Sequence, residues 1–392
     1  MTSHRISFSV MRFSLFVLAI AASLLACPTS SSNNTKITTH YYLYIACNTG
    51  NTVSAAGAQI AAYSIDETTG ALIAVPGTPF SASSTTPYAV AVNQSSTFLY
   101  AANGQKSTAI SAFAINASSG SLSQLAGSPF SSTNLPLSVV VDPSGKFLYT
   151  ADGAANGVGV WTINQSTGVS TEITGSPFST GASSGPSWVA VSNGYLYTAN
   201  STSNNISVFS INSATGALTA VGSPVGLGTS TSPVSITIDP SGKFLYTANN
   251  GSGDVSAFTI SSGALTAVTG SPYSIGATSS PNSVSVSPDG RFLYVANTGS
   301  GGKSVSAFGI NASTGALMAV SGSPFSMGSI SPLYAGVDPT GSFLYTANGI
   351  ANSVSVFAIN SSTGTLSSTS GSPYTVAGTP YHLVVATPTR TQ

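Results

Sequence analysis

Seven tyrosines stand in the setting Leu-Tyr-x-Ala, at Tyr44, Tyr100, Tyr149, Tyr197, Tyr246, Tyr294 and Tyr345, spaced by 56, 49, 48, 49, 48 and 51 residues. A sequence that repeats itself about every fifty residues cannot build one central core. Each copy has to bury itself against its neighbours, in a ring or in a stack. Residues 232–273 give one complete copy, and its runs are short, rich in Val, Ile, Phe and Tyr, and split by Gly, Pro and Asn, which reads as strands joined by turns.

Four strand-like runs fill each copy. The first follows a proline, present in all seven copies as Pro87, Pro136, Pro186, Pro233, Pro281, Pro332 and Pro380, and alternates Val or Ile with small residues. A tight turn comes next, as in Asp239-Pro240-Ser241-Gly242, where aspartate caps, proline fixes φ and glycine takes the last place. The second run, Phe244 to Asn249, and the third, Val255 to Ile260, carry apolar residues on both sides, so both faces must be covered. The fourth is more polar, with Gln124, Glu172 and Ser367-Ser368 in other copies. Burial that fades outward predicts a propeller blade held between two others, its small-residue first strand at the crowded axis. A linear β-solenoid is the alternative, and it would need atypical capping copies at its ends. Instead the chain starts near Tyr41 with a second-type strand and ends, around Tyr381 to Ala386, with a first-type strand. The two halves complete one another, predicting an all-β, seven-bladed propeller of four-stranded antiparallel blades, closed with Val384 beside Tyr44 and left without a free edge.

The run Phe-Leu-Tyr-[Thr/Val]-Ala-Asn after a Pro-Asp-Gly-type turn, seen in Phe244 to Asn249 and Phe292 to Asn297, resembles the seven-bladed lactonase-like propellers. That family takes in the 6-phosphogluconolactonase type and bacterial surface proteins with YVTN repeats. The likeness spans residues 41–386 and rests on core and turn residues. It implies the fold and, as one of two activities to weigh, hydrolysis of a lactone.

Of 392 residues only 5% are charged, nine basic and nine acidic, so the surface is built of hydroxyls and amides. Nucleic acid, which requires clustered cations, is excluded as a partner, and so is steering of an anionic substrate. Residues 1–26 read as an export signal: Arg5 and Arg12 precede an apolar stretch, Phe13 to Leu25, too short to span a bilayer, and Met11 is an equally good start. Leu24-Leu25-Ala26-Cys27 resembles a bacterial lipobox, making Cys27 the lipidated residue, against an ordinary cleavage site as the alternative. Residues 27–40 then form a Ser/Asn/Thr tether and 41–392 the propeller, a monomer that touches membrane only through its lipid. Triplets such as Asn93-Gln94-Ser95 and Asn116-Ala117-Ser118 match a glycosylation acceptor but are read as turn composition.

Departures from the internal consensus mark candidate sites. Two residues after the first-strand proline, four blades have Ala89, Ser138, Ser235 and Ser283, whereas three carry Trp188, Tyr334 and His382; the neighbouring position holds Tyr88, Asn282 and Tyr381. Around a channel mouth these form an aromatic platform for a glycan, a small ligand or a protein partner, or else a plug for the axis. The second strand ends in Asn103, Asn200, Asn249, Asn297 or Asn348, which are expected to tie the top loops, but in Asp152 and Cys47 in the other two blades. Cys47 beside His382 could make a nucleophile and its base, with Asp152 and Tyr334 as further catalytic candidates; the alternative is a buried thiol and a hydrogen-bonded channel histidine. Only Lys106 and Lys303 fall in upper-face loops, too sparse a set for a phosphosugar. No metal constellation and no cofactor motif is read. Two functions are carried forward: an exported, lipid-anchored binding or scaffold module at the cell envelope, and a hydrolase of an uncharged lactone.

Overall fold

The computed structural model describes residues 37–48, 59–84, 86–105, 108–132, 134–276, 278–300 and 303–391. The export signal, Cys27 and Lys106 lie outside the described residues. Blade 1 is the one built on Tyr42–Asn48, and the others are numbered along the chain.

Blade 5 shows the plan. Pro233–Ile238, Phe244–Asn249, Asp254–Ser261 and Ala264–Ala267 pair antiparallel in that order, from the axis outward. All six residues of the second strand are buried, while the fourth is mostly exposed. The outward fading of burial that the sequence predicts is therefore present. The outer edge, however, differs from expectation. A short fifth piece, Tyr273–Ser274, also pairs with the third strand, so that edge is made in two parts. Where the edge is interrupted, the N–H of Ala257 donates to Ser271 Oγ at 2.9 Å. Five further blades make the same bond at 2.8–3.0 Å, the N–H donating to the hydroxyl of a Ser or Thr that stands just before a proline. A hydroxyl thus satisfies a backbone donor that the ladder leaves open.

Closure occurs as the sequence predicts. Thr379–Ala386 pairs with Tyr42–Asn48, and Val384 lies opposite Tyr44. The innermost strands follow one another around the ring, and Thr379–Ala386 packs against both Pro332–Val337 and Ala89–Val92. Ile37–Thr39, assigned from sequence to the tether, pairs with Thr389–Thr391. Strand pairing therefore reaches into residues that composition assigns to the tether.

The core is divided into seven apolar clusters, one at each interface between adjacent blades. The repeated tyrosine explains why the copies must be in register. Tyr246 Oη donates to the carbonyl of Gly315 in blade 6 at 3.0 Å, and Tyr44, Tyr100, Tyr149 and Tyr294 bond the matching glycine of their following blades at 2.8–3.3 Å. The Phe244 ring lies on the same Gly315, whose φ of +74° and missing side chain admit it. Tyr197 and Tyr345 do not make this bond, and the buried hydroxyl of Tyr345 has no partner among the described residues. On the lower face the turn aspartates are structural. Asp239 Oδ1 accepts from the N–H of Lys243 at 2.8 Å and of Phe244 at 2.6 Å.

Candidate functional site

The seven innermost strands bring the residues two places after each proline into one layer around the axis. In that layer Ser235 Oγ accepts from Val284 N–H at 3.3 Å and Ser283 Oγ from Ala335 N–H at 2.9 Å, each bond joining a blade to the next. His382 occupies the same place in blade 1 and does the same work, its Nδ1 accepting from Val90 N–H at 3.3 Å. Accepting at Nδ1 leaves the ring proton on Nε2. Burial lowers the pKa of His382 to about 3, so the imidazole is neutral across the physiological range.

Trp188, Tyr334 and His382 meet. The His382 ring centroid lies 4.0 Å from that of Tyr334 and 5.3 Å from that of Trp188, and Trp188 stacks on Tyr334 at 5.9 Å and 23°. Trp188 belongs to blade 4 and His382 to blade 1, which are opposite in a ring of seven, so these rings fill the axis. Gly336 makes room for this packing, since a side chain there would fall 2.8 Å from Leu383 Cδ1 and 3.3 Å from Tyr334 Cε1. Burial raises the Tyr334 phenol to about 12, which keeps it protonated. Trp188 and Tyr334 pack across the axis yet stay half-buried, so the layer narrows the axis while keeping aromatic surface open.

One residue nearer the proline stand Tyr88 and Tyr381 of adjacent blades, edge to face at 5.3 Å. Tyr88 leans over Gly104, where any side chain would meet its ring. Burial and then the Tyr88 neighbour raise the Tyr381 phenol. Asn282 donates its Nδ2 to the Leu333 carbonyl at 2.7 Å, so that amide already holds blade 6 to blade 7. Lys303, in an upper loop, donates to the Ser329 carbonyl at 2.9 Å.

Cys47 does not join His382. His382 lies opposite Ala46, and both belong to the face of blade 1 that packs on blade 2. Cys47, one residue on, faces blade 7 among Ile45, Leu383 and Ala347. Strand alternation thus puts the sheet between thiol and imidazole. Burial, opposed by a hydrogen bond from the Ala61 backbone, pushes the thiol up to about 12. A fully buried thiol that stays protonated is no nucleophile at neutral pH.

Asp152 lies elsewhere again, at the interface between blades 2 and 3. Thr150 Oγ1 donates to its Oδ1 at 2.8 Å, while Oδ2 is buried with no partner among the described residues. Burial raises its pKa to about 7; the Thr150 bond opposes this, the Glu172 charge adds to it, and a bond from Asn134 opposes it. Sequence reasoning does not single out the residues around Asp152, although a signal is there. The five asparagines at this position each donate to a third-strand serine, as Asn249 does to Ser256 at 2.8 Å. Opposite Thr150 the serine is replaced by Gly159, and a side chain on Gly159 would fall against Thr150 Oγ1 and Asp152 Oδ2. Cys47 shows the same coupled change, with Ala61 in place of the serine. The sequence candidates thus divide among three places: the axis, the blade 1–blade 7 core, and the blade 2–blade 3 interface.

The family profile described as lactonase, seven-bladed beta-propeller, matches residues 42–181, 155–271 and 265–384. The chain belongs to the seven-bladed lactonase family. No curated protein matches this family member in sequence. Among solved structures it is similar to a suggested 6-phosphogluconolactonase of Bacteroides uniformis, with a TM-score of 0.72 at 20% identity over 88% of this chain and 99% of the other. The periplasmic gluconolactonase of Pseudomonas aeruginosa gives 0.72 at 18% identity, over 88% and 99%. A Lactobacillus plantarum protein gives 0.69 at 18% identity, over 89% and 99%. At such identities the likeness is one of fold, and this lactonase-family chain takes its chemistry from its own residues.

Proposed function

We propose that this lactonase-family propeller is an exported, lipid-anchored monomer at the bacterial cell envelope that binds an uncharged glycan or a protein partner at its upper face without turning it over. The observation that carries this reading is the axial packing of Trp188, Tyr334 and His382. It leaves aromatic surface at the mouth, with Tyr88 and Tyr381 beside it, and neither His382 nor Tyr334 ionises near neutral pH. Aromatic faces with few charges suit a sugar ring or an apolar side chain. Export and lipidation are supported by Arg5, Arg12 and the Leu24-Leu25-Ala26-Cys27 sequence.

Family membership favours a second reading, hydrolysis of an uncharged lactone, and the Pseudomonas aeruginosa neighbour is named a gluconolactonase. It would rest on His382, Tyr334, Asp152 or Cys47. A pH-stat assay on the purified domain with glucono-δ-lactone, against His382→Ala, separates the two. Turnover above the uncatalysed rate that vanishes in His382→Ala overturns the binding reading. Saturable change in Trp188 emission on adding a glycan, absent in Trp188→Phe, supports it.

A further inference from the structure

The outer edge of blade 4 differs from the other six at one backbone atom. Val208 holds the position whose N–H is satisfied elsewhere by a hydroxyl. Its carbonyl accepts from Val221 N–H at 2.8 Å, which fixes its own N–H on the same outer side. Ser223 stands where the hydroxyl residue should be, yet no protein acceptor reaches Val208 N–H among the described residues, and Val208 is 5% exposed. The sequence accounts for the difference. The residue after the proline is Phe or Tyr in six blades and Val225 here. In five blades that aromatic ring comes within 4 Å of where a glycine side chain would begin, as Tyr273 does over Gly270 at 3.5 Å; above Gly222, as above Gly175 of blade 3, there is nothing within 4 Å, and only blade 4 also lacks the aromatic residue.

Where the ring is missing, the surface has a notch. It holds 210 Å³ and is walled by Val208, Phe209 and Pro224 on one side and by Ser179, Thr180 and Gly181 of the preceding connector on the other. No charged side chain lines it. The volume corresponds to roughly seven water molecules at about 30 Å³ each, room for an acetamido group and part of one sugar ring but not for several residues of peptide. Val208 N–H has no protein acceptor among the described residues and lies at the wall of the notch, where a ligand carbonyl can accept from it in place of water.

We propose that this notch binds a neutral acetamido sugar, the amide carbonyl accepting from Val208 N–H and the methyl group resting on Phe209 and Pro224. The hydroxyl-bearing connector, Ser179 foremost because it is exposed, faces the sugar ring. An N–H donor selects an acceptor, the apolar wall selects a methyl, and the absence of charge disfavours an ammonium or carboxylate. The notch lies on the outer rim of blade 4, away from the axis, so the inference does not depend on the upper-face reading.

Titration of uniformly ¹⁵N-labelled protein with N-acetylglucosamine tests it through the Val208 amide resonance. That resonance is expected to shift saturably, with glucose binding at least about tenfold more weakly. Val225→Phe restores the sequence found in the other blades and is expected to abolish the shift. Ala220→Trp fills the notch from its other wall at an exposed strand position, and serves if the first variant folds poorly. An unmoved Val208 amide, an equal response to glucose, or undiminished binding in a well-folded variant overturns the proposal.

Discussion

Asp152→Asn is the perturbation whose size can be worked out most fully. The carboxyl lies between blades 2 and 3, and its pKa is raised from 3.8 to about 7, chiefly by burial. At about 1.4 kcal/mol per pH unit, this gap corresponds to about 4 kcal/mol. The sign comes from proton binding. The folded protein holds this proton more tightly than the unfolded chain, so the contribution is fully present below pH 3.8 and is lost as pH rises through about 7. Asparagine has the same shape and cannot ionise, so it escapes the loss. Its NH₂ group, however, would face Gly159 instead of a serine hydroxyl, and an unsatisfied buried donor costs about 1–3 kcal/mol. At pH 8 the variant should therefore be more stable than the parent by about 1–3 kcal/mol, and at pH 4.5 equal or less stable. Adding Gly159→Ser recreates the pair seen in five blades and should recover the amide's share. Urea unfolding at both pH values, followed by tryptophan emission, reads the difference directly. His382, neutral when folded, adds stability over the same range in parent and variant alike, so only their difference isolates Asp152; a pH-independent difference between variant and parent would refute the reasoning.

The tyrosine ladder makes a paired prediction. Tyr246→Phe removes a buried hydrogen bond to Gly315 and should cost about 1 kcal/mol, whereas Tyr345→Phe removes a hydroxyl with no partner among the described residues and should cost nothing or stabilise; thermal melts of the two variants compare them. Cys47, with its thiol pushed up to about 12, should resist iodoacetamide at pH 7.5 for as long as the ring is folded and react once urea opens it, and mass spectrometry scores the adduct. Removing Thr379–Ala386 strips blade 1 of its innermost strand and exposes the edge of Tyr42–Asn48, so the truncated chain should aggregate or be readily proteolysed. A soluble truncation that unfolds cooperatively would count against closure as the source of stability.

The architecture is legible because it is carried by residues whose job is the same in every copy. Tyr246 and Phe244 need only their period and their two-sided burial to be placed, and Val384 reaches Tyr44 by counting strands. The site is less legible, because side-chain chemistry depends on which face of a strand a residue occupies. Cys47 and His382 are near in the pairing register, but the bulge between Ala46 and Cys47 and the alternation of the strand send them to opposite blades. No composition argument contains that. Trp188 presents a similar case. Its departure from the consensus is visible, whereas its reach to His382 depends on how far an indole extends over the narrow axis of the ring. Two-residue correlations carry further. Asp152 with Gly159 and Cys47 with Ala61 are coupled changes inside one chain, and they identify which asparagines are replaceable. The split outer edge does have a periodic mark, a Ser or Thr before proline in every blade, but such a pair reads as turn chemistry and does not announce a hydroxyl standing in for a backbone carbonyl.

The handover of a Tyr hydroxyl to the glycine of the following blade, made by five of the seven repeated tyrosines, has a consequence for where the chain can be cut. The five bonds all run in the same sense around the circle, so none of them marks a first blade. The seam between blades 7 and 1 lacks the bond at Tyr345, but the interface between blades 4 and 5 lacks it too, so the seam is chemically ordinary. Linking the present ends and opening any connector should therefore yield a permuted molecule with the same seven interfaces, distinguished only by which neighbours are joined covalently.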